Sequence, residues 1–357
     1  MAQCIEMASM FALCRASHGS AVQQLLRALC AIADVRSGVG AHSKSAAALC
    51  VSAALGDAGR RLSAMGGRAG MPRSLGSVLG CWVVRFLGGF RGKESRVIPT
   101  PMIHYTCMGI AISRDGSTLL VSDRHVGSQC VHTFHATTGA YLRAVGSAGT
   151  GPLQFCKPCQ IWVAPDDHVF VVEYGNHRVQ ELTPQLDFHG FIGAGQLRNP
   201  AGVCADGEIV AVSEYVSCRI SVFRRGDGAL LRRFGSFGHG DGQLQRPQGL
   251  CIIIKTGHIA VADDLNGRIS VFRVDGAFVR HVGAGQLGRP SGVASCSASG
   301  DGQLVAVADA GGFGQLVVFG AGNEVLHAVR GVHFSGVAIH GDTIYAQRYC
   351  GECVVFN

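Results

Sequence analysis

Between about Gly109 and Asn357, six related segments follow one another, each made of short apolar runs separated by turn residues. The two clearest copies run from Pro200 to Phe223 and from Pro247 to Phe272. Each opens on Pro-x-Gly, continues through an apolar run that ends in an acid, and closes on Ile-Ser-Val-Phe. Repeats of this length built from strand-like runs indicate a propeller or a strand array. The repeat therefore constrains the architecture before any single residue is considered.

Each copy predicts four strands. The runs are too short for helices and are rich in Val, Ile and Phe, which favour strands. The third strand of each copy ends on a large apolar residue, in order Phe134, Leu182, Phe223, Phe272, Phe319 and Phe356. A four-stranded sheet with two apolar faces is not stable alone in water, but radial stacking of such sheets buries both faces. The sequence thus predicts an all-β fold, a six-bladed β-propeller.

The sixth copy ends with its third strand, at residues 353–357. The segment 82–88 aligns with the fourth strand of the first copy, since Arg85 matches Arg143 and Gly88 matches Gly146. We therefore expect residues 82–88 to supply the missing outer strand. Closure of this kind removes a sheet edge that could otherwise pair with another chain.

The segments 243–250 and 262–272 resemble NHL repeats, and the resemblance extends over about residues 83–357. It implies an NHL-type six-bladed propeller that binds proteins or RNA. Such propellers form the C-terminal domains of tripartite-motif ubiquitin ligases and occur in bacterial sensors, and peptide-amidating lyases are a related propeller. In the sixth copy, Ala346-Gln347 stands where other copies have Ala-Asp.

The first eighty residues differ in composition and carry much of the net charge of +7. We divide the chain into an Ala/Arg-rich extension (1–65), a Gly/Ser linker (66–81) and the propeller (82–357). The extension is interpreted as armadillo-like helices, as an organelle transit segment or as a poorly ordered tail. These three alternatives stay open.

An acid recurs where each second strand ends, and an Arg recurs at the start of the third strand. Because a unique active site is not repeated in every blade, these residues are interpreted as structural. The acids are Asp123, Glu173, Glu214, Asp263 and Asp309, and the arginines are Arg178, Arg219 and Arg268.

Neither a metal nor a cofactor is predicted. Two Cys-x-x-Cys pairs, 156–159 and 350–353, belong to copies that a six-bladed ring does not place side by side, and neither pair starts a helix. The fifteen His residues show no metal-binding spacing. The interpretation is therefore a protein without enzymatic activity, although a metal-dependent lyase of the peptide-amidating type stays an alternative.

The variable loop positions carry the functional prediction. In an up-and-down blade, the connections between blades and the turns between strands two and three lie at the same end. Cationic and aromatic residues there form a predicted binding rim: Arg124, His125, Lys157, Tyr174, His177, Arg198, Tyr215, Arg246, Arg289, Arg348 and Tyr349.

The predicted function is a non-catalytic binding scaffold that presents this rim to a protein partner. Alternatives are single-stranded RNA binding and substrate recognition in a ubiquitin ligase, whose RING-type zinc ligands the sequence lacks. We expect a monomer with free thiols in a cytoplasmic, reducing compartment, with organelle import through the N-terminal segment as an alternative. No run of eighteen apolar residues predicts a membrane span.

Overall fold

The computed structural model describes residues 94–99, 107–253, 256–297, 303–312, 314–348 and 352–356. Its strands in chain order are β1 (Glu94–Pro99), β2 (Cys107–Ile112), β3 (Thr118–Asp123), β4 (Cys130–His135), β5 (Tyr141–Val145), β6 (Ser147–Ala148), β7 (Gln154–Phe155), β8 (Pro158–Val163), β9 (Val169–Glu173), β10 (Arg178–Leu182), β11 (Phe188–Ile192), β12 (Pro200–Ala205), β13 (Ile209–Glu214), β14 (Arg219–Arg224), β15 (Leu230–Phe234), β16 (Ser236–Phe237), β17 (Gln243–Leu244), β18 (Pro247–Ile253), β19 (His258–Asp263), β20 (Arg268–Phe272), β21 (Phe278–Val282), β22 (Pro290–Ser297), β23 (Gln303–Asp309), β24 (Gln315–Phe319), β25 (Val325–Arg330), β26 (Phe334–His340), β27 (Thr343–Arg348) and β28 (Glu352–Phe356).

These strands form the predicted six-bladed propeller. Blades one to five are the antiparallel sheets β2–β5, β8–β11, β12–β15, β18–β21 and β22–β25, and blade six is β26–β28 with β1. The first strands of neighbouring blades contact each other in a closed cycle. One 3-10 turn, Asp264–Asn266, is the single helical element of the described part of the chain. None of the described residues belongs to a helix that could cross a membrane.

Burial explains the strand sequences. Second strands such as β9 and β13 are buried along their whole length and therefore read as continuous apolar runs. Outer strands such as β5 are largely exposed and carry polar residues. The large apolar residues that end the third strands are all buried, four of them completely, and they fill the spaces between blades.

An N-terminal strand closes the ring, as predicted, but it is β1 and not residues 82–88. Strand β1 pairs antiparallel with β28, and Ile98 packs beside Phe134 and Val355 in the core between blades six and one. β1 ends eight positions before β2 begins, the separation that also joins β11 to β12 and β21 to β22. A closing strand at 82–88 would need a much longer connection. Residues 82–88, like the extension and linker predicted before them, lie outside the described residues.

The axis of the ring is narrow because glycine faces it in five blades. Gly109, Gly202, Gly249, Gly292 and Gly336 occupy equivalent positions in the first strands. A Cβ on Gly202 would come within 2.2 Å of the Gln248 carbonyl oxygen of the next blade. The blades can therefore approach each other this closely at the axis only if this position is glycine.

Blade two has Gln160 at this position, and its side chain crosses the channel. Its Oε1 accepts hydrogen bonds from the amides of Val203 (3.0 Å) and Leu250 (2.9 Å), and its Nε2 donates to the Leu250 carbonyl (2.7 Å). Trp162, two residues further along β8, donates from Nε1 to the Ala205 carbonyl at 2.8 Å. Blade two thus ties blades three and four together across the axis.

Candidate functional site

The two ends of the propeller differ in charge. We call the end that carries the blade connections and the turns between strands two and three the upper end, and the opposite end the lower end. Exposed or half-buried acids concentrate in the described loops of the lower end: Asp115, Asp166, Asp167, Asp187, Asp206, Glu208, Asp227, Asp275, Glu324 and Asp342. Three described arginines of the lower end are paired with acids: Arg224, Arg225 and Arg273.

At the upper end the balance is reversed. Arg124 is half-buried, and Lys157, Arg198 and Arg246 are exposed. Besides the buried acids that end the second strands, the described acids of this end are Asp241, which is exposed, Asp264, which is buried, and Glu352, which is paired with an arginine. A field of this shape attracts an anionic partner to one end of the ring and repels it from the other.

Two tyrosines and two arginines form a continuous row across blades one to four of this end. The Tyr174 and Tyr215 rings meet edge to face, with centroids 6.4 Å apart. The guanidinium carbon of Arg124 lies 5.9 Å from the Tyr174 centroid, and that of Arg246 lies 5.6 Å from the Tyr215 centroid. We call Arg124, Tyr174, Tyr215 and Arg246 the Arg–Tyr row. Such cation–π contacts hold the guanidinium groups in place while leaving their N–H groups for a ligand.

The residue before the first-strand proline has the same unusual backbone conformation in blades two, three and four. Lys157, Asn199 and Arg246 directly precede the first-strand prolines of their blades and all have positive φ, at 50°, 47° and 53°. This conformation suits Asn but costs energy for Lys and Arg. The Tyr174 amide donates to the Lys157 carbonyl at 3.2 Å, which places Lys157 beside the Arg–Tyr row.

Arg124 and Lys157 also lie close to the inner strand of blade two. Burial raises the pKa of the Cys159 thiol above its ordinary value, although both cations act in the opposite direction.

The remaining predicted rim residues have different surroundings. His177 is exposed, and its Nδ1 accepts a hydrogen bond of 2.9 Å from the Asn199 amide, so it links blades two and three. His125 is half-buried in the turn after β3, and its amide donates to Asp123 at 2.9 Å. Arg198 is exposed beside Asn199.

Two predicted rim residues are engaged elsewhere. Arg289 makes a bidentate pair with the buried Asp264, with both N–O distances at 2.9 Å, so its charge is largely neutralised. Arg348 is buried and pairs with Glu352 at 3.1 Å. In the register of blade six, Arg348 and not Gln347 occupies the place of the recurring acid. Tyr349 lies outside the described residues.

The recurring acids are buried in hydrogen-bond networks below this surface. Glu173 accepts from Arg178 Nε at 2.6 Å, Glu214 from Arg219 Nε at 2.8 Å, and Asp263 from Arg268 Nε at 3.0 Å. Arg268 also donates to three carbonyls of the segment between β16 and β18, at His239, Gly240 and Gln243. Asp309 instead accepts from the amides of Gly288, Arg289 and Gly311 and from Gln315 Nε2. Each of these four acids is thus hydrogen-bonded to a loop amide or to an arginine of the upper end.

Blade one is different, because its acid has no arginine. Asp123 is completely buried and contacts His132 Nε2 at 3.4 Å, the Ser128 hydroxyl and the His125 amide. Burial raises the pKa of Asp123, but these three groups together hold it below its ordinary value. For His132, burial acts to lower the pKa because it disfavours the charged imidazolium. The contacts with Asp123 and Cys130 outweigh this effect and raise the pKa to about 9. Sequence analysis did not single out Cys130 and His132, although they replace the Arg and the polar residue of the other blades.

No model of a known protein family matches the chain. Protein wech of Drosophila melanogaster is 45% identical over 60 residues, and RING finger protein nhl-1 of Caenorhabditis elegans is 43% identical over 67 residues. Each match covers 17% of this chain and only 7% of the relative. Both relatives are NHL-repeat proteins, and with the six-bladed ring they confirm the predicted resemblance to NHL-type propellers.

Solved structures with the same fold include a streptogramin B lyase and the protein U3-55K. The lyase has a TM-score of 0.53 at 10% identity and covers 73% of this chain and 96% of its own. U3-55K has a TM-score of 0.53 at 11% identity, with 73% and 97% covered. At this identity, the likeness shows the propeller fold alone.

Proposed function

We propose that this chain is a non-catalytic NHL-type propeller that binds an acidic segment of a protein partner at its upper end. The observation that carries the proposal is the Arg–Tyr row beside Lys157, at the cationic end of a ring whose other end is acidic. Guanidinium groups bind carboxylates through two parallel hydrogen bonds, and arginine and tyrosine are enriched where binding energy concentrates.

The contacts of the two tyrosine side chains favour a peptide ligand over RNA. Recognition of single-stranded RNA relies on aromatic faces that are free to stack on bases. Tyr174 and Tyr215 are half-buried, contact each other, and each has an arginine within cation–π distance. In this arrangement the tyrosines position cations and do not offer stacking platforms.

A ubiquitin ligase is one setting in which such a module would act. The printed name of the nhl-1 relative includes a RING finger, but the match covers only 7% of that protein. In that setting the propeller would select an acidic substrate segment, and a RING from outside these 357 residues would supply the activity.

The test uses binding of two fluorescent probes, a polyglutamate peptide and an oligouridylate of equal charge. We compare the upper triple variant Arg124→Glu/Lys157→Glu/Arg246→Glu with a lower triple variant of equal net charge, Arg114→Glu/Arg224→Glu/Arg273→Glu. The upper variant should lose polyglutamate affinity by at least about tenfold, which corresponds to 1.4 kcal/mol, and the lower variant should not.

Equal losses of polyglutamate affinity in both triple variants would show that binding depends only on net charge. This result would overturn the proposal that the peptide binds at the upper end. If the upper variant lost affinity for oligouridylate alone, the upper end would be assigned to RNA binding. Melting curves of both variants check that the ring stays folded.

A further inference from the structure

Blade one replaces a recurring ion pair with a group of metal-binding side chains. The residue opposite the acid at the start of the third strand is Arg178, Arg219 or Arg268 in blades two to four. In blade one the residue paired with Asp123 is Cys130. Two positions further on, blades three and four have Ser221 and Ser270, whereas blade one has His132. A buried carboxylate thus loses its arginine and gains a thiol and an imidazole.

The three side chains converge on one point. The ligand atoms of Asp123, Cys130 and His132 all lie within 4.8 Å of one another, and all three residues are buried. Cys130 Sγ lies 3.5 Å from His132 Nε2, and that nitrogen lies 3.4 Å from Asp123 Oδ2. A single ring nitrogen therefore faces both the thiol and the carboxylate.

The separation between His132 Nε2 and the Asp123 carboxylate matches ligands around a tetrahedral zinc ion better than a direct hydrogen bond, and the separation between Nε2 and the Cys130 sulfur fits both arrangements. Zinc–sulfur and zinc–nitrogen bonds of about 2.3 and 2.05 Å place tetrahedral ligands about 3.6 Å apart for S and N, and about 3.4 Å apart for N and O. A good N–H···O bond has a donor–acceptor distance near 2.9 Å. The observed 3.4 Å is long for an imidazole–carboxylate hydrogen bond.

The surroundings suit a ligated imidazole. The other ring nitrogen of His132, Nδ1, faces the Tyr141 hydroxyl at 3.5 Å, a long contact that leaves the ring free to shift toward a metal ion while keeping a polar group behind it. The Ser128 hydroxyl contacts Asp123 and is only partly buried, which leaves a fourth position for that hydroxyl or for water. A thiolate, a carboxylate and a neutral imidazole together balance the charge of Zn²⁺.

We propose that Asp123, Cys130 and His132 form a structural Zn²⁺ site in blade one, where the ion takes the place of the arginine of blades two to four. Binding displaces the thiol proton of Cys130 and the Nε2 proton of His132, and both protons pass to solvent. No electron transfer is involved.

The second group of possible ligands in the described residues lacks this character. Glu181 Oε1 lies 2.9 Å from His168 Nδ1, but Arg225 also donates to it from Nε at 3.0 Å and from Nη2 at 2.8 Å. A guanidinium already provides the positive charge there. His168 therefore serves as a control position.

The experiment measures zinc in the full chain, purified without a polyhistidine tag and dialysed against buffer containing zinc and then against zinc-free buffer. We expect one zinc per chain, retained in Cys156→Ser and His168→Ala and lost in Cys130→Ser and His132→Ala. Cobalt should give a thiolate charge-transfer band in the near ultraviolet that disappears in Cys130→Ser.

A folded variant guards against loss of metal through unfolding. Cys130→Arg/His132→Ser rebuilds in blade one the network of Asp263, Arg268 and Ser270. It should melt cooperatively, contain no zinc and be insensitive to a chelator that lowers the melting temperature of the wild type. Folded wild-type protein that binds neither zinc nor cobalt would overturn the proposal and leave a protonated His132 as the counter-ion of Asp123. Zinc retained in the rebuilt variant would also overturn it.

Discussion

Arg348 and Glu352 form the recurring ion pair of this propeller with its charges exchanged. In blades two to four, the acid ends the second strand and the arginine begins the third. In blade six, Arg348 ends the second strand and Glu352 begins the third, with Arg348 Nη1 3.1 Å from Glu352 Oε2. In these four blades the position thus holds a neutral pair, and either end of it can carry either sign.

The exchange predicts a charge-swap rescue. Arg348→Glu alone leaves two acids facing each other and should lower the free energy of unfolding by about 3–5 kcal/mol, as breaking a buried pair does. Arg348→Glu/Glu352→Arg should regain most of that loss in urea unfolding. The same swap at the exposed Arg224–Asp227 pair should change stability by less than about 1 kcal/mol. A double variant no better than the single one would contradict the equivalence.

Gln160 is predicted to stabilise the ring through its contacts across the axis. Gln160→Gly restores the residue of the other blades but removes the partner of the Val203 and Leu250 amides. Because water can enter a polar channel and replace part of these bonds, we expect a loss of about 2 kcal/mol in unfolding free energy. Gln196→Ala, at an exposed loop position, should be neutral. A Gln160→Gly ring as stable as the wild type would contradict the role.

Truncation distinguishes the two candidate closing strands. A chain that begins at Gly89 lacks residues 82–88 but keeps β1, and its ring should melt as cooperatively as that of the full chain. A chain that begins at Thr100 loses β1 and exposes the edge of β28, so it should melt at lower temperature and aggregate. Scanning calorimetry with light scattering makes the comparison. Loss of cooperativity in the first chain would restore 82–88 as the closing strand.

Protonation of Glu214 at low pH should lower the stability of blade three. Burial raises the pKa of Glu214, but Arg219, Ser221 and the Arg198 amide together hold it below the ordinary value of 4.5. A group with a lowered pKa in the folded state stabilises the protein above its unfolded pKa, and this contribution is lost as the pH falls below 4.5 through the folded value. Glu214→Gln should therefore be less stable at pH 7, and its stability should change less with acid. Parallel wild-type and variant curves from pH 7 to pH 3 would contradict this.

Periodicity was sufficient to predict the blades, because second strands such as β9 and β13 are buried on both faces and each third strand ends on a core residue. The closing strand was predicted at 82–88 because the sequence of this segment resembles that of an outer strand. The length of the connection to the first strand shows that residues 94–99 take this place. Arg289 and Arg348 were assigned to the rim by loop position alone. Their partners, Asp264 and Glu352, could be identified only from the register and the loop conformation.

The blade-one cluster escaped prediction for a related reason. Cys130 and His132 have no recognised metal spacing with each other, and Asp123 looked like one more member of a structural series. The signal was a departure from the repeat, which becomes visible once the strand register aligns Cys130 with the arginines of the other blades.

The pairing of β1 with β28 also determines how the ring responds to tension. Glu94 lies opposite Phe356, and Pro99 lies opposite Glu352. A pull applied through the chain before Glu94 and after Phe356 therefore acts on one end of this two-strand ladder. In this geometry the hydrogen bonds would break one pair after another instead of sharing the load, so we expect the ring to open first at blade six.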